Sequence, residues 1–120
     1  MIAGLDHANI YSHDLEATRR FYVDLLGLTE GFRPDFGFPG VWFYHGGRPI
    51  MHIVYTPEAR REVGALDHVS FEVLDFDAAL DALEKAGVEH WYKEIPDGVG
   101  RQAFLTDPNG VTIELTWHRR

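Results

Sequence analysis

An α+β fold built from two βαβββ modules is what this 120-residue sequence predicts. Three observations carry the expectation. Leu5-Asp6-His7 returns as Leu66-Asp67-His68, an offset of 61. Asp14, Leu15 and Ala17 return at the same offset as Asp75, Phe76 and Ala78, and Ile50 to Val54 matches Thr112 to Thr116 at an offset of 62. Each half also runs through the same order: a strand pattern, an amphipathic helix, a glycine, then three further strand patterns. Finally, halves of about sixty residues are too short to bury a core well alone. They are therefore expected to share one, as a single domain over residues 1–120 with a first module at 1–58 and a second at 64–120.

Leu5 to Tyr11 reads as the first strand. Asp14-Leu15-Glu16-Ala17 starts a helix, with Ser12 or Asp14 as its cap and acidic residues favourable in the first turn. Leu15, Phe21, Tyr22, Leu25 and Leu26 keep helical spacing, and Gly27 stands where a helix end favours a left-handed residue. Strands are expected over Thr29 to Arg33, Val41 to His45 and Ile50 to Tyr55, the last two joined by the hairpin signal Gly46-Gly47. The polar run Thr56-Pro57-Glu58-Ala59-Arg60-Arg61-Glu62 reads as a linker or a short helix. In the second module a strand is expected over Leu66 to Val73 and a helix over Phe76 to Ala86, ending at Gly87. Strands follow near Val88 to Lys93, at Gln102 to Thr106 and at Val111 to Trp117.

Composition excludes several functions. Eleven Lys and Arg stand against nineteen Asp and Glu, a formal net charge of −8. The basic clusters Arg60-Arg61 and Arg119-Arg120 are too small for a phosphate backbone, so no nucleic-acid partner is expected. With no Cys there are no disulfides, thiolate metal sites or cysteine nucleophile. No apolar run has the length of a membrane span, and Met1 to His7 has neither the basic start nor the apolar stretch of a signal peptide. A soluble, cytoplasmic protein without a membrane partner is the expectation.

Side-chain alternation points to the chemistry. In the strand after the linker Val69, Phe71 and Val73 point one way, and His68, Ser70 and Glu72 the other. In the last strand Val111, Ile113, Leu115 and Trp117 share a face, with Thr112, Glu114, Thr116 and His118 opposite. An antiparallel sheet lying on a helix turns its apolar face toward it, so His68 and Glu114 are expected to look away from the helix. The repeat puts His7 and His52 at the equivalent points of the first module. A single strand histidine is more commonly a hydrogen-bonded or surface residue; four candidate ligands at matched positions are harder to place by accident. Three imidazoles and one carboxylate suit Fe, Ni, Zn, Co or Mn better than Mg or Ca. Such a centre polarises a carbonyl or stabilises an enediolate. His52 is the weakest member, because Met51, Ile53 and Tyr55 compete for the inward face. His13, His45, His90 and His118 are expected to be solvated, and Trp42, Phe43, Tyr44, Trp91 and Tyr92 to form core or cleft wall.

Nearly the whole chain resembles the vicinal oxygen chelate superfamily, which holds glyoxalase I, fosfomycin and bleomycin resistance proteins, extradiol dioxygenases and methylmalonyl-CoA epimerase. The carriers are the two Leu-Asp-His triplets, Asp14-Leu15 followed by Phe21-Tyr22-Val23-Asp24-Leu25-Leu26-Gly27-Leu28, and Ala103-Phe104-Leu105-Thr106-Asp107-Pro108-Asn109-Gly110-Val111-Thr112-Ile113-Glu114-Leu115. The resemblance implies paired modules whose mixed sheets curl into a cup around a divalent metal. It implies ligands at the positions of His7, His52, His68 and Glu114, and a homodimer.

For a glyoxalase-like lyase or isomerase acting on a small oxygenated substrate, the resemblance makes Glu114 both ligand and base. His52 replaces an acidic ligand of glyoxalase I, and the Arg that contacts glutathione is not evident near Tyr11. An extradiol Fe(II) ring-cleavage dioxygenase is the first alternative. It would use His68 and Glu114, but it wants Tyr where Phe104 stands and a His where Ile95, Pro96 and Asp97 stand. A fosfomycin-type thiol transferase would leave His52 surplus, with Lys93, Arg101 and Arg119 available to a phosphonate. The last alternative is a metal-free antibiotic-binding resistance protein, which has no need of four ligands.

Overall fold

The structure, a computed structural model, describes residues 1, 3–59 and 65–120. Two four-stranded mixed sheets with few helices make it an α+β protein. The chain divides into two compact units, Met1–Arg61 and Glu62–Arg120. In the first unit come β1 (Ala8–Ser12), α1 (Leu15–Arg19), a π-helical turn (Arg20–Leu25), β2 (Thr29–Gly31), β3 (Gly40–His45) and β4 (Arg48–Tyr55), in sheet order β1-β4-β3-β2. The second unit has β5 (Val69–Glu72), α2 (Phe76–Lys85), β6 (His90–Glu94), β7 (Gly100–Thr106) and β8 (Thr112–His118), in sheet order β5-β8-β7-β6. A short 3₁₀ turn, Pro96–Gly98, precedes β7. Of the expected linker, Thr56 to Ala59 carry no helix or strand. Arg60, Arg61 and Glu62, with the basic pair they contain, lie outside the described residues. Among the described residues no helix is long and apolar enough to cross a membrane.

Both sheets are mixed, as the resemblance implies, with one parallel pairing in each. β1 runs parallel to β4 and β5 parallel to β8, because the helix and the hairpin between them supply the long crossover a parallel pair requires. Alternation across the faces is unaffected. The first ladder begins at Ala8 opposite Met51 and the second at Val69 opposite Ile113, so His7 and His68 stand just before their strands rather than inside them.

One face of each sheet meets its helix. In the first unit Ile10, Val41, Phe43, Met51 and Ile53 are buried with Phe21 and Tyr22. The rings of Tyr22 and Phe43 lie 5.8 Å apart at 27°. In the second unit Ala103, Leu105, Ile113 and Leu115 are buried, as are Phe76 and Leu83, which stand seven residues apart on one face of α2. Trp91 and Tyr92 are not core: they are 58% and 52% exposed. β6 is the last strand of its four-stranded sheet.

Capping follows the acidic signals. Asp14 and Asp75 each accept a hydrogen bond from the backbone three residues on, and Ser12 Oγ accepts from Asp14 N. The second helix ends as a Schellman motif: Val88 N donates to Leu83 O, Gly87 N donates to Glu84 O, and Gly87 has φ +66°. The first was expected to be one regular helix but widens after Arg19 into the π-helical turn. Gly27 follows Asp14 by 13 positions whereas Gly87 follows Asp75 by 12. The wide turn absorbs the extra residue, and Leu26 N donates five residues back to Phe21 O.

At the start of β7, a Cβ added to Gly100 would lie 2.4 Å from the Trp117 carbonyl oxygen and 2.9 Å from Ile95 Cδ1. Gly100→Ala is expected to cost about 1–3 kcal/mol. It would read as a lower urea midpoint at unchanged slope; an unchanged midpoint would mean that the β7–β8 pair yields freely.

Candidate functional site

The repeat seen in the sequence is a repeat of register. Asn9 pairs with His52 across β1 and β4, and Ser70 with Glu114 across β5 and β8. His7 precedes Asn9 by two residues as His68 precedes Ser70. On the next strand Trp42 stands opposite His52, and Phe104 opposite Glu114. His52 alternates with the buried Met51 and Ile53 and so lies on the face away from the helix, which answers the competition among its neighbours for the inward face.

In the first unit His7, His52 and Trp42 form a three-ring stack. The His7 and His52 centroids are 3.7 Å apart at 12°, and those of His52 and Trp42 3.9 Å apart, also at 12°. His52 Nε2 lies 3.1 Å from the Pro49 carbonyl oxygen and therefore donates to it. Burial and the charge of His7 hold the His52 imidazole below its ordinary pKa, since a proton there loses water and gains a like charge. His7 turns its Nδ1 to the Asp6 carboxylate at 2.7 Å.

The second unit repeats the outer contact and changes the inner one. His68 Nδ1 lies 2.8 Å from Asp67 Oδ2. Its ring meets Phe104 edge to face at 6.4 Å, and Phe104 stacks on Trp91 at 4.4 Å. Glu114 is 6% exposed. Burial alone would raise its pKa, but hydroxyl hydrogen bonds from Ser70 and Thr116 and the charges of His68 and Lys93 outweigh it and hold the carboxyl below the usual range. Thr116 Oγ1 donates to Glu114 Oε2 at 2.7 Å and touches Ser70 Oγ at 2.8 Å. Glu114 is thus an ionised carboxylate in a hydroxyl cradle.

The structure brings His7 onto His52, and His68 within electrostatic reach of Glu114. Among the described residues no group of three or more His, Cys, Asp or Glu side chains is placed to hold a metal ion. Taken singly, the imidazoles of His7 and His68 and the carboxylate of Glu114 are donor types that a divalent cation accepts. His52 fits less well: its Nε2 is engaged, and parallel stacked rings aim their lone pairs side by side rather than at a common point. Sequence reasoning missed Asp6, Asp67, Ser70 and Thr116 as partners of the candidates. The signal for the aspartates was present, since they are the middle residues of the repeated triplet.

The remaining histidines behave as expected in three cases. His13, His45 and His118 are exposed, while His90 is half-buried and donates Nδ1–H to Val88 O at 2.7 Å. Arg101 is neutralised by Asp77 at 2.9 Å and Glu94 at 3.0 Å, with its guanidinium over Phe76. That pairing takes it away from any anion. Lys93 instead lies 5.5 Å from the Phe104 ring, on the Glu114 side of the sheet.

Twin βαβββ units with a histidine at the mouth of each parallel pair define a class of protein, and the sequence places the chain in it. It belongs to the glyoxalase/bleomycin resistance protein/dioxygenase superfamily, whose family model matches residues 4–115. Among curated proteins it is 29% identical to the glutathione transferase FosA of Serratia marcescens, over 96% of this chain and 81% of that protein. It is 28% identical to the uncharacterized protein YaeR of Escherichia coli K12, over 91% and 92% respectively. A solved Bacillus anthracis structure assigned to the glyoxalase family superposes with a TM-score of 0.82 at 26% identity, covering 99% of this chain and 98% of that one.

Proposed function

We propose that this protein is a divalent-metal-dependent enzyme of glyoxalase-like type, a lyase or isomerase acting on a small oxygenated substrate. The observation that supports the proposal is the shared register of the two parallel strand pairs, Asn9 opposite His52 and Ser70 opposite Glu114, with His7 and His68 each two residues before the first of these. His7, His68 and Glu114 hold the metal, and His52 joins them only if its ring leaves the stack and releases the Pro49 carbonyl. A bound divalent cation supplies Lewis acidity, polarising a carbonyl oxygen and stabilising the negative charge that develops on it. Glu114 is the base that takes up a substrate proton, with Thr116 donating to its Oε2. Its lowered pKa makes it a good ligand and a weak base, suited to a carbon acid already acidified by the neighbouring carbonyl. Trp42, Phe104 and Trp91 offer aromatic walls beside these groups.

FosA shows that a relative with comparable identity can be a transferase. For this chain a thiol-transfer reading loses Arg101 to Asp77 and Glu94 and keeps Lys93 as its cation near Glu114. Ring cleavage is disfavoured by Phe104, which brings no hydroxyl opposite Glu114. We take the protein to be cytoplasmic and its working unit to be a homodimer, the dimer being supported by the exposed aromatics on edge strand β6.

Elemental analysis of protein purified without chelator tests the proposal. Divalent metal approaching one per chain is expected, with most of it lost in His68→Ala, and sedimentation should give twice the 13.7 kDa chain mass. Nickel or cobalt would support isomerisation and iron oxygen chemistry. Absence of metal would overturn the proposal in favour of ligand sequestration.

A further inference from the structure

We propose that Asp6 and Asp67 are positioning residues that preset the two triplet histidines as metal ligands by fixing their tautomer. The inference rests on the metal-centre reading above and extends it to residues outside the donor set. In both units the same atoms meet: Nδ1 of His7 lies 2.7 Å from Asp6 Oδ2, and Nδ1 of His68 lies 2.8 Å from Asp67 Oδ2. An ionised carboxylate can only accept a hydrogen bond, so each Nδ1 must carry the proton. Each Nε2 is then left with a lone pair, the form in which an imidazole binds a metal.

A free imidazole in water favours the opposite, Nε2–H, tautomer, which would have to rearrange before coordination. Each aspartate removes that step and fixes the ring plane. Both histidine side chains are 37% exposed, so the rings are reachable before any metal arrives. A generic salt bridge does not account for the pairs. Asp6 has Arg48 nearby, at 4.0 Å, whereas no cation other than His68 is paired with Asp67 among the described residues, and the histidine contact is the same in both. The contrast with His52 reinforces the assignment: its Nε2 donates to the Pro49 carbonyl, and among the described residues no carboxylate is hydrogen-bonded to its ring.

Nitrogen-15 long-range correlation spectra of the metal-free full-length protein at pH 8 test the inference, with the two rings assigned through His7→Gln and His68→Gln. Protonated Nδ1 and bare Nε2 are expected in both rings of the parent protein. Asp6→Ala should move only His7 toward the Nε2–H form, and Asp67→Ala only His68. Both aspartates are exposed, so these variants are expected to fold. Cobalt(II) titration of the same proteins should show each alanine variant weakened about 10- to 100-fold, with Asp6→Asn and Asp67→Asn partly restored because the amide oxygen still accepts. Nε2–H rings in the parent protein, or alanine variants with unchanged tautomer and cobalt affinity, would overturn the assignment. A parent protein with the expected tautomers that takes up no cobalt would instead overturn the metal-centre reading and leave the Asp–His pairing standing.

Discussion

Glu114→Gln is expected to weaken divalent-metal binding by at least about 100-fold, beyond the loss typical of an outer partner, and to remove turnover with it. The substitution is nearly isosteric, and the amide oxygen still accepts from Thr116, so the cradle on β8 survives. What disappears is the negative charge of the proposed donor set, and with it much of the attraction for a dication and the carboxylate proposed to take up the proton. Stability separates this outcome from unfolding. The Glu114 carboxyl sits below its ordinary 4.5 in the folded chain, so between those values the unfolded chain binds more protons than the folded one. The ionised group therefore contributes stability that is complete above 4.5 and lost as pH falls through the lowered value. Glu114→Gln should flatten that acid-side slope and leave a folded protein at neutral pH. Calorimetric titration with nickel, alongside unfolding midpoints from pH 3 to 7, checks both parts. Unchanged nickel affinity would remove Glu114 from the donor set.

Phe43→Ala is expected to be the most destabilising of the substitutions considered, by about 3–5 kcal/mol. Phe43 is fully buried in the middle of β3, opposite Met51, with its ring against Tyr22. Truncation removes the contact between sheet and helix and leaves a cavity among Tyr22, Met51 and Ile53, none of which can move far in its strand or helix. Against a total of about 5–15 kcal/mol for a natural domain, such a loss leaves little margin at 37 °C. A urea midpoint lowered accordingly at constant slope is the expected reading. A loss under about 1 kcal/mol would mean that the face bearing Phe43 is not the one that holds the unit together. Trp42, next in sequence, is the matched control. It lies on the opposite face, stacked on His52, so Trp42→Leu should disturb the candidate site more than the fold.

Most of the fold was legible from the chain because the signals are local and doubled. The aspartate caps, the glycines after each helix and the Gly46-Gly47 turn are written within a few residues of the structures they terminate, and each helix-and-strand order occurs twice. The π-helical turn was not legible as such. An extra residue between Asp14 and Gly27 can be counted, but whether a helix widens, kinks or loops out to hold it depends on what its neighbours pack against. Whether Trp91 and Tyr92 are core or cleft wall was open for a related reason, and the structure leaves both half exposed. Aromatic residues in a strand pattern look alike on a central and an edge strand, and position in the sheet is set by pairing rather than by the residues themselves.

At the candidate site the same division holds. By itself the sequence determined which residues are equivalent, because a duplicated pattern survives as repeated identities at a nearly constant offset: His7 with His68, His52 with Glu114. Only the tertiary structure decided what each does. It closed His52 into a ring stack with its Nε2 on a carbonyl, set Glu114 ionised among hydroxyls, and turned Asp6 and Asp67 onto the imidazoles beside them. The physical reason is that periodicity fixes the face on which a side chain emerges, whereas rotamer, tautomer and protonation depend on atoms brought close by strand pairing, in several cases from residues about 45 positions away in the chain.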